Sequence, residues 1–334
     1  MSPLCQDTVP ERSLVYRVAD RLIVVEAVDD EAAALVRKVF SEWYLAFQTG
    51  GGSGAPGCTI RIRSNAELPV IPRGCSQFDI ADGGVCHTNG EASYLQLQGS
   101  LVSLDVPGFA DVEVWLCGPD DFPKMIRVIS YAVSAALRRC GLFELHSAAV
   151  VEPRSGDGWL IVGPSGSGKS TLTVQLSADG WPYLSDDVLV FGAGTVGIEA
   201  WPLRRCFAVT EQTFSASPFL KTRISSVFGG EKARFSPSQV FASEFKESCT
   251  PRTLLFPQLT GEESSRVSVL TPGETMARLI QMSPWSCYDR NTASRHLEAL
   301  SLLVKQSKGL ALFAGRDLLV PGNLSSFLRS VAGN

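Results

Sequence analysis

Apolar positions along the chain change period several times, and each change marks an element. Arg21 to Val25 is a short apolar run and predicts a strand. From Asp29 to Phe47 the apolar residues Leu35, Val39, Phe40, Trp43 and Phe47 recur at helical spacing, which predicts a helix. Thr59 to Arg63, Ser93 to Leu97, Leu101 to Val106 and Val112 to Leu116 alternate and predict strands. Gly83-Gly84 and Gly99-Ser100 fall where hairpin turns belong. Asp120 and Asp121 open a second helix near Phe122 to Arg139, with acid at its start and base at its end, and Gly141 stops it. The run from Gly50 to Gly57 reads as a flexible loop. Residues 1–142 therefore read as an α+β domain with an antiparallel sheet and no catalytic constellation.

The second half has a different texture. Leu145 to Val151 is almost wholly apolar, a turn spans Pro153 to Gly158, and Trp159 to Val162 is the compact apolar run of a buried strand. A helix is expected from Lys169 to about Leu176, a strand over Val188 to Phe191, and core-packed helices over Met276 to Met282 and Arg295 to Val304. Residues 143–334 thus form an α/β domain.

Composition narrows the function classes. Hydrophobic residues make up 45% and charged residues 19%, which is ordinary for a globular protein. The net charge of −4 argues against a general nucleic-acid or anionic-membrane surface. No apolar run has the length of a membrane helix, and nothing near Met1 resembles a secretory signal. Nine scattered cysteines, never spaced C-x-x-C, and three histidines give no zinc pattern; reduced thiols in the cytoplasm are the expectation.

The chemistry concentrates after the buried strand. Gly163-Pro164-Ser165-Gly166-Ser167-Gly168-Lys169-Ser170-Thr171 satisfies G-x-x-x-x-G-K-[ST]. Glycines allow a tight loop whose amides converge on phosphate oxygens, and the following helix adds its positive end. Gly163, Ser165, Gly166, Ser167, Gly168, Lys169, Ser170 and Thr171 are therefore expected to bind ATP. Lys169 would reach the β- and γ-phosphates, and Ser170 would ligate Mg²⁺. An acidic pair, Asp186-Asp187, follows soon after, ahead of the next strand. Two carboxylates there can divide metal binding and proton abstraction between them.

His146, the strand, Gly-x-Ser-Gly-x-Gly-Lys-Ser, the helix and Leu184-Ser185-Asp186-Asp187 together resemble the catalytic domain of HPr kinase/phosphorylase and its kinase relatives. The resemblance is strongest over Leu145 to Phe191, thinner to about Thr260, and does not cover the first domain. It implies a P-loop-containing HPr kinase/phosphoenolpyruvate carboxykinase-like domain, preceded by a smaller α+β domain that recognises the substrate. By the resemblance, Asp186 matches the general base and Asp187 its metal-linked neighbour. His146 matches an active-site histidine, with Ser147 where the family has glycine. Arg252, in Thr250-Pro251-Arg252-Thr253, matches an arginine near the transferred phosphate.

The family's Arg-Gly-Ile-Gly segment is absent. Glu199 to Arg205 stands in its place, with Glu199 a candidate further acid, so HPr as substrate and a reverse phosphorylase reaction stay open. The layout is similar to a divergent branch that acts on ribosomal peptide precursors such as lasso peptides. The implied activity is Mg²⁺-dependent transfer of the ATP γ-phosphoryl group to a hydroxyl, a serine of a peptide or protein. A small-molecule alcohol kinase and a non-catalytic nucleotide-binding regulator stay open, as does the oligomeric state, a homo-oligomer included. Lys221, Arg223, Lys232 and Arg234 flank Gly229-Gly230 as either a mobile loop closing over phosphates or a solvated one.

Overall fold

The structure, a computed structural model, describes residues 12–43, 48–49, 57–64, 67–80, 83–104, 111–117, 122–204, 206–224, 232–283 and 289–332. The glycine-rich run up to Pro56, the Asp120-Asp121 helix start, Arg205 and Gly229-Gly230 lie outside them. The fold is mixed α/β. The chain divides into two compact units, one of residues 1–42, 47–140 and 288–291, the other of residues 43–46, 141–287 and 292–334.

The first unit is built on nine strands: β1 (Ser13–Val18), β2 (Arg21–Ala27), β3 (Gln48–Thr49), β4 (Cys58–Ser64), β5 (Ser76–Ile80), β6 (Gly84–Thr88), β7 (Ser93–Leu97), β8 (Ser100–Leu104) and β9 (Asp111–Leu116). They form one sheet in the order β3-β1-β2-β4-β9-β8-β7-β6-β5. The sheet is not purely antiparallel as the alternation suggested. β4 runs parallel to both β2 and β9, with Val25 opposite Ile60 and Ile60 opposite Val112. Parallel neighbours need a crossover, and helix α1 (Asp30–Trp43) lies between β2 and β4 in the chain. α1 packs its Phe40 ring 4.4 Å from Tyr16 of β1. The β7–β8 turn, Gln98-Gly99, has positive φ at both residues, the form that matches strand twist. Helix α2 (Phe122–Arg139) buries Met125, Ile129, Val133 and Leu137 against β4, β8 and β9.

The second unit holds β10 (Leu142–Leu145), β11 (Ser147–Val151), β12 (Gly158–Val162), α3 (Lys169–Ala178), β13 (Tyr183–Ser185), β14 (Leu189–Ala193), β15 (Ile198–Pro202) and β16 (Phe207–Thr210). Then come α4 (Glu211–Ala216), α5 (Pro218–Arg223), β17 (Lys232–Phe235), β18 (Pro251–Leu259), β19 (Arg266–Val269), α6 (Pro272–Gln281), a helix Arg290–Gln306, β20 (Lys308–Ala314) and a helix Asn323–Ala332. The central sheet runs β13-β11-β12-β18-β20-β19, with β12, β18 and β20 parallel. Its buried strands send alternate residues to opposite faces. Ala148, Val150, Trp159 and Ile161 join one core with Leu172, Leu176 and Leu328; Ala149, Val151, Leu160 and Val162 join another with Leu279, Leu300 and Leu303. Both faces are covered by helices, which is why these strands read as continuous apolar runs.

Among the described residues, no helix is long and apolar enough to cross a membrane.

Candidate functional site

Strand direction assembles the site. β12, β18, β20 and β13 all point the same way, since β13 and β12 are each antiparallel to β11. One edge of the sheet therefore gathers the glycine-rich loop after β12, the Asp186-Asp187 bend after β13, His146 just before β11, and the segments after β18 and β20. In open α/β sheets this carboxyl edge is where ligand-binding crevices form. Here it borders a cavity of about 420 Å³ lined by His146, Lys169, Ser170, Thr171, Asp187 and Lys232 among others.

The loop's glycines are local necessities. Gly166 (φ +82°) and Gly168 (φ +98°) lie in the left-handed region, where a side chain would strain the backbone. A Cβ on Gly163 would come within 2.7 Å of the Ser167 hydroxyl. Gly168 is the N-cap of α3 and supplies no side-chain cap, so the first-turn amides meet no side-chain acceptor there.

Lys169 is 6% exposed. Its Nζ donates to the carbonyls of Gly163 (2.7 Å) and Pro164 (3.0 Å) and lies 3.0 Å from His146 Nε2. Burial lowers its ammonium to about 8, aided by Lys232 and opposed by Asp187 and Asp186. His146 Nδ1 stands 3.3 Å from Asp187 Oδ1. A lysine can only donate, so Nε2 is the acceptor and Nδ1 carries the proton toward Asp187. Burial holds the imidazole below its ordinary value, against the pull of Asp187 and with Lys169 and Lys232 adding to it. His146 is thus a neutral, oriented imidazole with its lone pair on the loop side.

The two acids part company. The strand has not resumed at either, and Asp187 lines the cavity beside His146. Asp186 is 1% exposed; its Oδ2 accepts from the Ala208 amide at 2.8 Å, and its Oδ1 is buried with no hydrogen-bond partner. Burial pushes its carboxyl up to about 7. The structure therefore brings Asp187, rather than Asp186, to the cavity surface. Asp186 fastens β16, whose neighbour β17 places Lys232 opposite Thr210.

Two expected residues are not brought here. Arg252 sits at the start of β18, between Pro251 opposite Gly158 and Thr253 opposite Trp159. That is the far end of β12, about 16 Å along the strand from the loop. Glu199 pairs with Gly192 and accepts from the Thr195 amide and hydroxyl, both at 3.1 Å, buttressing the β14–β15 turn. Ser147, which stands where the resemblance expects glycine, is buried and donates to the Ile161 carbonyl at 3.0 Å. Lys221 and Arg223 lie on α5, where Arg223 donates to the Val240 carbonyl; of the basic stretch, Lys232 lines the cavity.

The sequence reading missed a polar wall and an apolar one. Thr213 Oγ1 lies 2.8 Å from Thr171 Oγ1, and Thr210 and Gln212 stand beside it. Leu259, Gly261, Gly315, Arg316 and Leu319 form the other wall. Nothing local in these segments advertises a site; the order of strands in the sheet delivers them. Among the described residues, no three His, Cys, Asp or Glu side chains are grouped to hold a metal ion by themselves. The oxygen donors at hand are the Ser170 hydroxyl and the Asp187 carboxylate. With phosphate oxygens and water they suit Mg²⁺, which is held by few protein ligands.

No family model matches the chain, and no curated protein matches it.

Proposed function

We propose that the second unit is an ATP-dependent kinase that transfers the γ-phosphoryl group to an alcohol, the favoured acceptor being a serine of a peptide or protein. The reading is supported above all by one juxtaposition: a loop of the phosphate-binding sequence pattern shares a cavity with a histidine oriented by an aspartate. Amides of Gly166 to Ser170 would receive the phosphates. Lys169 would turn from the Gly163 and Pro164 carbonyls to phosphate oxygens, which frees His146 Nε2.

Ser170 and Asp187 would hold Mg²⁺, which when bound neutralises phosphate charge. The acceptor hydroxyl gives its proton to His146 Nε2 as its oxygen bonds to the γ-phosphorus. The bond from that phosphorus to the bridging oxygen breaks, and ADP leaves. Asp187 keeps the imidazole in the required tautomer and steadies its positive charge, a division of labour known from histidine–carboxylate pairs. Asp186, buried and bonded to Ala208, positions the wall rather than meeting the acceptor. The first unit, with no catalytic cluster read in it, is assigned to acceptor recognition.

The test is calorimetric Mg²⁺–ATP binding together with single-turnover transfer of labelled phosphate to peptide and small-alcohol fractions. His146→Asn should leave ATP affinity within a few-fold and slow transfer by about 10²–10⁴. A full chain that binds no ATP, or a His146→Asn variant that transfers at the parental rate, overturns the reading. Labelling of small alcohols with none of peptides would move the acceptor class.

A further inference from the structure

The cavity has two unlike flanks. His146, Asp187 and Lys232 lie on the β11–β13 side of the loop; Leu259, Gly261, Gly315, Arg316, Leu318 and Leu319 lie on the side of the β18 and β20 ends. A nucleotide whose reactive phosphate points to the first flank must send its nucleoside to the second. Leu259 is 59% exposed and Leu319 53% exposed, high for leucines on a cavity wall. Leu259 reaches over the loop itself, since a Cβ on Gly168 would lie 3.2 Å from its Cδ2. Gly315 lets the backbone of this wall pack tightly on the 262–264 segment: a Cβ there would meet the Ser264 carbonyl carbon at 2.8 Å and the Glu262 carbonyl oxygen at 2.9 Å.

The polar groups of this flank are already engaged with one another. The Gly315 amide donates to Ser265 Oγ (2.8 Å), the Arg316 amide to the Glu262 carbonyl (2.8 Å) and the Asp317 amide to the Glu263 carbonyl (3.1 Å). The Thr260 amide and hydroxyl both point to the Ala314 carbonyl at 3.1 Å. Arg316, the charged side chain of this wall, reaches Glu263 at 3.1 Å in a solvent-exposed pair, which is weak, so it is the donor a base edge could still meet here. A base lying here meets carbon on its faces and finds few donors or acceptors at its edges.

We propose that the nucleobase is gripped by apolar contact between Leu259 and Leu319, and that the site accepts purine and pyrimidine nucleoside triphosphates with little discrimination. This rests on the phosphate-binding reading above. Sites built on hydrogen bonds reject a mismatched ligand by about 10⁴–10⁵, whereas apolar pockets separate near neighbours by only about 10–200-fold.

The experiment measures calorimetric affinities of the full chain, with Mg²⁺, for ATP, GTP, CTP, UTP and inorganic tripolyphosphate. It repeats them with Leu259→Ser and Leu319→Ser. The four nucleotides should fall within about tenfold, purines ahead because they cover more apolar surface. Each serine variant should weaken all four by about tenfold and leave tripolyphosphate within twofold. Retained tripolyphosphate binding also certifies that the variants are folded. A preference of a hundredfold or more for one base, or serine variants that bind nucleotides as the parent does, overturns the apolar clamp. Failure of both tripolyphosphate and nucleotides to bind the parent overturns the phosphate-binding reading, and the clamp falls with it.

Discussion

Two clusters, one in each unit, bury charge in opposite ways. In the first unit, buried cations face an anion: Arg138 and Arg139 lie 3.7 and 3.3 Å from Asp289, and Arg138 and Asp289 are all but inaccessible. Its sheet surface carries the same logic in half-exposed form, with Arg61 between Glu26 (2.9 Å) and Asp111 (2.6 Å). In the second unit Lys169 is buried against two carbonyls and an imidazole, and Asp186 keeps one oxygen without a partner. Buried charge that is paired reads as architecture, because removing one partner strands the other. Buried charge resting on neutral groups, and shifted by that burial, is the pattern expected of a working site.

This contrast is tested first where the expected effect is largest. Asp289→Ala should destabilise the protein by about 3–5 kcal/mol, because it removes the buried carboxylate that Arg138 and Arg139 share. Urea denaturation checks this, with ATP affinity measured below the transition and expected to hold within threefold. A loss under 1 kcal/mol would mean the buried cluster is not the anchor described here.

Lys169→Ala should do the reverse. It removes a buried cation whose direct contacts are two carbonyls and an imidazole, although Asp187 and Asp186 favour its charge, so the thermal midpoint should change little. Transfer should fall by about 10²–10³, as when one preorganised donor is taken from developing charge. Normal turnover in that variant would remove the loop from the mechanism.

The same contrast explains what could be read from sequence. α2 was legible near Phe122 to Arg139, because its periodicity and the Arg138-Arg139 end are local. So was β7 over Ser93 to Leu97. β1, β5 and β6 went unread; β5, an edge strand, carries only Phe78 and Ile80 as apolar residues. The parallel joint of β2, β4 and β9 also escaped, since parallel pairing leaves no turn to see. At the site, the contiguous loop was legible, while Thr213, Leu259 and Leu319 arrive only through sheet order. The two adjacent acids are expected to point to opposite sides of an extended strand, with Asp186 toward the acceptor by resemblance and Asp187 toward the metal. In the structure the Ala208 amide and the surrounding core hold Asp186, and Asp187 reaches the cavity, a split that pairing geometry sets and sequence does not show.

A smaller effect sharpens the first unit's side of the comparison. Asp29 precedes α1 and accepts from the Ala32 amide at 2.8 Å, from the Ser64 amide at 2.8 Å and from the Ser64 hydroxyl. Burial alone would raise its carboxyl, but the Ser64 hydroxyl and these amides outweigh it and hold it low. A depressed folded value stabilises above the unfolded value of about 4 and is lost as pH falls through the folded one. Asp29→Ala should cost about 1 kcal/mol at neutral pH, the size of a lost helix cap. Asp29→Asn should keep part of the cap and lose the acid-dependent portion. Denaturation midpoints at pH 7 and pH 3 check both; an Asn variant with the parental pH profile would assign the acid sensitivity elsewhere.

The smallest expected effect discriminates between resemblance and register. By resemblance Arg252 belongs near the transferred phosphate. By register it opens β18 beside the start of β12, while the loop follows the end of β12. A strand rises about 3.3 Å per residue, so the five steps from Gly158 to Gly163 exceed an arginine's reach of about 7 Å even if its side chain pointed along the strand. Arg252 is also exposed at that position, so its removal opens no cavity. Arg252→Ala should therefore leave ATP affinity and single-turnover transfer within twofold and stability within about 0.5 kcal/mol. A tenfold loss of transfer with unchanged nucleotide affinity would show that β18 shifts its register during turnover, and the flank assignments drawn from that register would have to be redrawn.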